Sequence, residues 1–240
     1  MKTIVANWKM NKNISEALDF AREINKESFK DREIIICPPF TALNSLRNSL
    51  DKKFKLGAQD VFYELSGAFT GEISPTMLKD AGCEFVIVGH SERRQYFNET
   101  DEIVNKKVKA AISNGLAVIM CVGEKLEQRK SGETFRHIEK QVVNGLAGLH
   151  AKDFQGLMIA YEPIWAIGTR LNATPSQAEE VHAFIRKILR EKFNSDVKIL
   201  YGGSVNPSNS KDLLREKNVD GLLVGGASLD ARKFAEIVRS

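Results

Sequence analysis

Apolar residues in this 240-residue chain gather in short blocks that return at intervals. The blocks are TIVAN (3–7), EIIIC (33–37), FKLGA (54–58), EFVIVG (84–89), LAVIMCV (116–122), LMIAY (157–161), VKILY (197–201) and DGLLVG (220–225). Nearly every position within a block is apolar. That is the pattern of parallel strands covered on both faces, not the alternation of a half-exposed sheet. Between the blocks the period changes. In ISEALDFAREINKES (14–28), Ile14, Leu18, Ala21 and Ile24 recur at helical spacing, and TALNSLRNSL (41–50) places Leu43, Leu46 and Leu50 on one side. Further helices are predicted over 74–82, 91–97, 101–115, 133–149, 174–193, 206–218 and 230–239. Ser74-Pro75, Thr174-Pro175 and Asn206-Pro207 read as N-cap residues followed by an N1 proline.

Eight strands, each followed by helix, with no linker or shift in composition, predict an α/β fold. It is a single-domain (β/α)8 barrel over residues 1–240. An open doubly wound sheet fits less well. Such a sheet normally carries a Gly-rich phosphate fingerprint after its first strand, and here NWKMNKN follows.

Composition narrows the function. Hydrophobic residues make up 42% of the chain, enough for a large core, and the net charge is only +4 with Lys and Arg interleaved among Asp and Glu. No basic block marks a nucleic-acid surface. No apolar run reaches the roughly 18 residues of a membrane span, and MKTIVANWKMN is too short in its apolar part for a secretion signal. Cys37, Cys83 and Cys121, an odd number without a C-x-x-C pair, suit reduced thiols in the cytoplasm.

In a barrel of this kind the chemistry lies at the C-terminal ends of the strands. There the sequence places Asn7-Trp8-Lys9, Gly89-His90-Ser91-Glu92, Cys121-Val122-Gly123-Glu124, Glu162, Tyr201-Gly202-Gly203-Ser204 and Gly225-Gly226. Glu162 ends a wholly apolar strand, an expensive place for a carboxylate unless it is paired or used. The glycines after the last two strands either make tight turns or let backbone amides approach a phosphate. His90 opens a helix at SERR, either as a structural cap or as a neutral ring able to polarise a carbonyl, with Ser91 near the N-cap. Lys9 either begins an exposed loop or stands charged against Glu92, ready to stabilise an oxyanion. The other histidines, His137, His150 and His182, read as surface or packing residues, and no metal site is expected.

The motifs ANWKMN, VGHSERR, AYEPIWAIGT, YGGSV and LLVGGASL, in this order and spacing, closely resemble the triosephosphate isomerase family. The resemblance runs from Lys2 to the last helix. It implies a TIM barrel, without cofactor or metal, that interconverts dihydroxyacetone phosphate and D-glyceraldehyde 3-phosphate. By the same resemblance Glu162 is the base and His90 the electrophile. Asn7, Trp8 and Lys9 meet the substrate, and Gly168, Ser204, Gly225 and Gly226 grip its phosphate. Glu92, Cys121 and Tyr201 stand behind them. Pro163 and Trp165 form the stiff hinge of a lid, and Ile167 and Leu223 press on the closed site. The long loop 60–74, with Phe69 and Thr70 at its tip, implies a homodimer. One departure is visible: where the family usually has a Gly, a Lys and a Thr, this chain has Arg170, Leu171 and Asn172.

Two rival readings remain. A phosphate-binding barrel aldolase would need a Schiff-base lysine at a strand end, typically the sixth, where this chain has Glu162. A non-catalytic phosphate-binding scaffold would not be expected to keep Asn7, Lys9, His90 and Glu162 together.

Overall fold

Parallel strands buried on both faces leave no edge if they close on themselves, and these strands do. The computed structural model describes residues 1–167 and 173–240. Strands β1 (Lys2–Asn7), β2 (Arg32–Cys37), β3 (Phe54–Ala58), β4 (Phe85–Val88), β5 (Ala117–Val122), β6 (Leu157–Tyr161), β7 (Lys198–Tyr201) and β8 (Gly221–Val224) form a closed barrel in sequence order. Every pairing is parallel, and closure is made by β1 on β8 with Val5 opposite Leu223. Around it run α1 (Ile14–Ile24), α2 (Leu43–Arg47), α3 (Pro75–Asp80), α4 (Ser91–Tyr96), α5 (Asp101–Ser113), α6 (Leu126–Lys130), α7 (Thr134–Gly145), α8 (Pro175–Phe193), α9 (Ser210–Arg215) and α10 (Ala231–Arg239). Short 3-10 turns occupy Phe40–Ala42, Ala151–Gly156, Ile164–Ala166 and Gly226–Leu229.

The core has two layers because strand side chains alternate between faces. Val5, Ile35, Ile87, Ile119, Ala160 and Leu200 fill the barrel interior. Ile4, Ile36, Val88, Val118, Ile159 and Ile199 face outward into the helices. At the N-terminal end the barrel is closed by an ion cluster. Glu33 accepts from Thr3 Oγ1 at 2.8 Å and pairs with Lys55 at 3.1 Å and Lys198 at 2.9 Å.

The element ends show where local chemistry prevails over periodicity. The first helix stops at Ile24, not at 28, because the Lys26 and Glu27 amides turn back onto Glu23 and Ile24. The Asn206-Pro207 pair does not start a helix. Asn206 Oδ1 accepts the Ser208 and Asn209 amides in a local turn, and α9 begins only at Ser210. Ser74 and Thr174 do cap α3 and α8, accepting from Met77 N and Gln177 N.

Candidate active site

The C-terminal mouth of the barrel holds a pocket of about 380 Å³ lined by Asn7, Lys9, His90, Glu92, Glu162, Ile167, Leu223 and the glycine turns after β7 and β8. Glu162 is 1% exposed. Its backbone is fixed on two sides. Its amide donates to Val122 O at 2.8 Å, and Gly123 lies so close that a Cβ there would sit 1.8 Å from Glu162 O. Its Oε2 accepts the Ser91 amide at 2.9 Å, and its Oε1 lies 3.0 Å from His90 Nε2. The Cys121 thiol beneath contacts the same carboxylate.

His90, not Ser91, is the N-cap of α4: its Nδ1 accepts the Glu92 amide at 3.2 Å. Burial pulls the His90 pKa down, while the Glu162 and Glu92 carboxylates pull it above its ordinary value. For Glu162, burial pushes the pKa up, and a charged His90, the Ser91 amide and Lys9 would bring it below the ordinary carboxylate value. The two groups set each other's charge, and hydrogen bonding decides between the outcomes. Nδ1 is occupied as an acceptor, so the ring is neutral and carries its proton on Nε2, facing Glu162. With a neutral ring the imidazolium no longer lowers the Glu162 pKa, and the Ser91 amide and Lys9 are left to oppose burial.

Lys9 has φ of +52°, a left-handed conformation unusual for a side-chain-bearing residue. Three contacts hold it there: its amide donates to Asn7 Oδ1 at 3.0 Å, Gln59 Nε2 donates to its carbonyl at 2.9 Å, and its ammonium meets Glu92 Oε1 at 2.7 Å. Gln59 also donates to Cys37 O at 2.9 Å, so β3 braces the ends of both β1 and β2. The sequence reading missed it, since one half-buried amide after a strand has no distinguishing pattern.

Opposite the carboxylate, Gly203, Ser204, Gly225 and Gly226 line the pocket, and Gly226 opens a 3-10 turn. None of these glycines has positive φ. At Gly226 a Cβ would meet nothing within 4 Å. Turn geometry and packing therefore do not explain Gly226, which leaves space in the pocket. Gly203 does answer to packing: a Cβ would lie 2.2 Å from Tyr201 Oη and 3.0 Å from Pro163 Cγ.

Trp8 departs from its expected place. Asn7 turns into the barrel mouth, so its neighbour turns out, and the Trp8 ring is fully buried against Phe20 at 4.9 Å, away from the pocket lining. Tyr201 supports Gly203 and does not line the pocket. Pro163 leads into the Ile164–Ala166 turn, where Trp165 Nε1 donates to the buried Glu124 at 2.8 Å. Gly168, Arg170, Leu171 and Asn172 lie outside the described residues. Among the described residues, no cluster of His, Cys, Asp and Glu could hold a metal, and no helix is long and apolar enough to cross a membrane.

A triosephosphate isomerase family profile matches residues 2–240. The chain is 52% identical over 242 residues to the triosephosphate isomerase of Endomicrobium trichonymphae, covering 98% of this chain and 97% of that one. It is 53% identical over 247 residues to that of Chloroherpeton thalassium, covering 100% and 98%. With that of Dictyoglomus thermophilum the identity is 50% over 246 residues, covering 100% and 99%. Matches of this extent, over a barrel whose mouth joins a buried carboxylate, an imidazole and an ammonium, show that the chain belongs to the triosephosphate isomerase family.

Proposed function

We propose that Glu162 and His90 carry out the family's reaction, the interconversion of dihydroxyacetone phosphate and D-glyceraldehyde 3-phosphate, at this mouth. The observation that carries the assignment is the approach of His90 Nε2 to the buried Glu162 carboxylate, 3.0 Å away, on the wall of one pocket. Glu162 takes the proton from the carbon next to the carbonyl. His90 Nε2–H polarises the carbonyl oxygen and passes a proton between the two oxygens. The Lys9 ammonium offsets the charge of the enediolate, and Glu162 returns its proton to the neighbouring carbon. Hydrogen leaves and returns as a proton, so the reaction needs no electron acceptor. The family is itself a reference case for a neutral imidazole working as electrophile beside a glutamate base.

Ser204, Gly225 and Gly226 hold the phosphate, and Ile167 and Leu223 bring apolar surface to the reacting end, where excluding water protects an enediolate prone to lose phosphate. A coupled isomerase assay tests the assignment. It expects turnover in the parent and its loss in Glu162→Gln. Borohydride trapping of a substrate–lysine adduct would support the aldolase reading instead, and phosphate binding without turnover would support the scaffold.

The working form is proposed to be a homodimer of single-domain subunits in the cytoplasm. Supporting the dimer, Phe69 in loop 60–74, Tyr96 at the end of α4 and Phe97 just after it expose large apolar side chains, with Tyr96 68% exposed. The Arg93–Asp60 pair at 2.9 Å ties α4 to the start of that loop. Three buried unpaired thiols suit the compartment. Light scattering after size exclusion should give twice the chain mass, and a monomer would reject the interface.

A further inference from the structure

Glu162 is held from behind by a residue outside the pocket. Gly123, the first residue after β5, packs on the Glu162 backbone at a distance that admits no side chain, with a Cβ placed 1.8 Å from Glu162 O and 3.2 Å from Glu162 Cβ. The position of Gly123 therefore sets the position of Glu162. Gly123 is in turn fixed by α7. Its amide donates to Gln141 Oε1 at 2.8 Å, and the Gln141 side chain is buried, with the residue 5% exposed. One turn earlier on the same helix, His137 hydrogen-bonds to the Gly123 backbone. The His137 Nδ1 lies 2.9 Å from Gln128 Nε2, and the Gln128 Oε1 is occupied by the Lys125 amide at 2.8 Å. The helix thus reaches the catalytic strand end through one short chain: α7, Gln141, Gly123, Glu162.

We infer that Gln141 is a positioning residue for proton transfer, acting on the base through Gly123. The inference rests on Glu162 being the base. An apolar side chain in its place would leave a buried amide without its acceptor. Gln141 and Gly123 also wall a separate cavity of about 430 Å³, which Ser91 and Ile164 line as well. Water entering from that side can hydrate the freed amide, and Gly123 is then no longer held against Glu162. Gln141 does not line the pocket that the turns after β7 and β8 enclose, so the loss should fall on the chemical step and not on binding.

The test is Gln141→Met, which nearly keeps the volume and removes the strong acceptor. A shift of a few tenths of an ångström in the base predicts a kcat about 10-fold lower, a part of the roughly 100-fold attached to a full ångström, with KM within about 2-fold of the parent. Substrate deuterated at the transferred position should show a larger isotope effect on kcat than in the parent, because proton abstraction becomes more rate-limiting. Val142→Ala, a core truncation one residue along α7, serves as the control for stability alone. It should lower Tm without enlarging the isotope effect. If Gln141→Met does not fold, Gln141→Asn, which keeps the amide but falls short of Gly123, carries the same expectations. Parent-like kcat and isotope effect in a folded Gln141 variant, or an equal response in Val142→Ala, would overturn the inference. Full activity in Glu162→Gln would instead overturn the assignment on which it rests.

Discussion

The sharpest expectation concerns the reach of Glu162. In Glu162→Asp the carboxylate loses one methylene and withdraws by about 1.5 Å, one carbon–carbon bond. The backbone cannot follow to restore it. The Glu162 amide is bonded to Val122 O at 2.8 Å, Gly123 closes one side, and Gly202 N holds Tyr161 O, the carbonyl just before Glu162, at 2.7 Å. Both carboxylate contacts, 2.9 Å to Ser91 N and 3.0 Å to His90 Nε2, then exceed hydrogen-bond length. A misplacement of about 1 Å costs roughly 100-fold in rate, close to 2.7 kcal/mol of barrier at about 1.4 kcal/mol per tenfold. The expected result is a kcat lower by about 10²- to 10³-fold, with KM changed by less than about 3-fold because the phosphate turns are untouched. Steady-state kinetics with glyceraldehyde 3-phosphate, with circular dichroism to establish folding, measures both. A folded variant with kcat within a few-fold of the parent would refute Glu162 as the base.

Three further outcomes follow from the geometry. Lys9→Ala should remove most of kcat/KM, by several kcal/mol of lost charge stabilisation in a dry site, and leave the circular dichroism spectrum intact; an unchanged kcat/KM would make Lys9 an ordinary loop residue. Gly203→Ala should lower kcat/KM by about 10-fold or more through a displacement of the order of an ångström, because its Cβ would lie 2.2 Å from Tyr201 Oη, and Tyr201→Phe in the same chain should recover part of the loss. Acid should destabilise the fold in two steps. Burial lowers the His182 pKa from 6.5 to about 4, so the unfolded chain takes up a proton that the folded chain refuses, and stability falls as pH drops from 6.5 to 4. That shift corresponds to about 3 kcal/mol. Despite burial, Lys198, Thr3 and Lys55 hold Glu33 near 2, so its contribution is present above 4.5 and is lost between 4.5 and 2. Urea titrations at about pH 7, 5, 4, 3 and 2 check both steps, and in His182→Gln the upper step should disappear.

Most of the barrel was legible because its strands are buried on both faces. An unbroken apolar block of five residues such as LMIAY admits few other structures when turns bound it on both sides. FKLGA and LMIAY gave β3 and β6 with no residue in error. The candidate site was legible because polar residues at the ends of apolar strands stand out, and Asn7, Lys9, His90 and Glu162 do converge on one pocket. What escaped depended on direction and on distant partners. The orientation of Trp8 follows from strand alternation once Asn7 is placed inward. The left-handed backbone of Lys9, the brace from Gln59 and the hold of Gln141 on Gly123 join residues 50, 22 and 18 positions apart. No local pattern encodes such pairs.

Two glutamates show that burial does not by itself set a carboxylate's role. Glu124 and Glu162 each follow an apolar strand, and in the chain alone they present the same anomaly. Folded, both are buried, 0% and 1% exposed. Burial raises the Glu124 pKa and works in the same direction on Glu162, where His90, the Ser91 amide and Lys9 outweigh it, so desolvation alone does not separate a structural carboxylate from a reactive one. Their partners do. Glu124 accepts Tyr161 Oη at 3.1 Å and Trp165 Nε1 at 2.8 Å, donors that do not line the pocket, and it serves to hold the Ile164–Ala166 turn. Glu162 takes one backbone amide and turns its other oxygen to His90, on a wall that a substrate can reach. Both Glu124 donors meet the same oxygen, Oε1, so it is access to the pocket, and not the number of donors, that sets Glu162 apart as the proposed base. Side-chain direction at the strand end decides that, and the barrel fixes this direction through the glycine at 123.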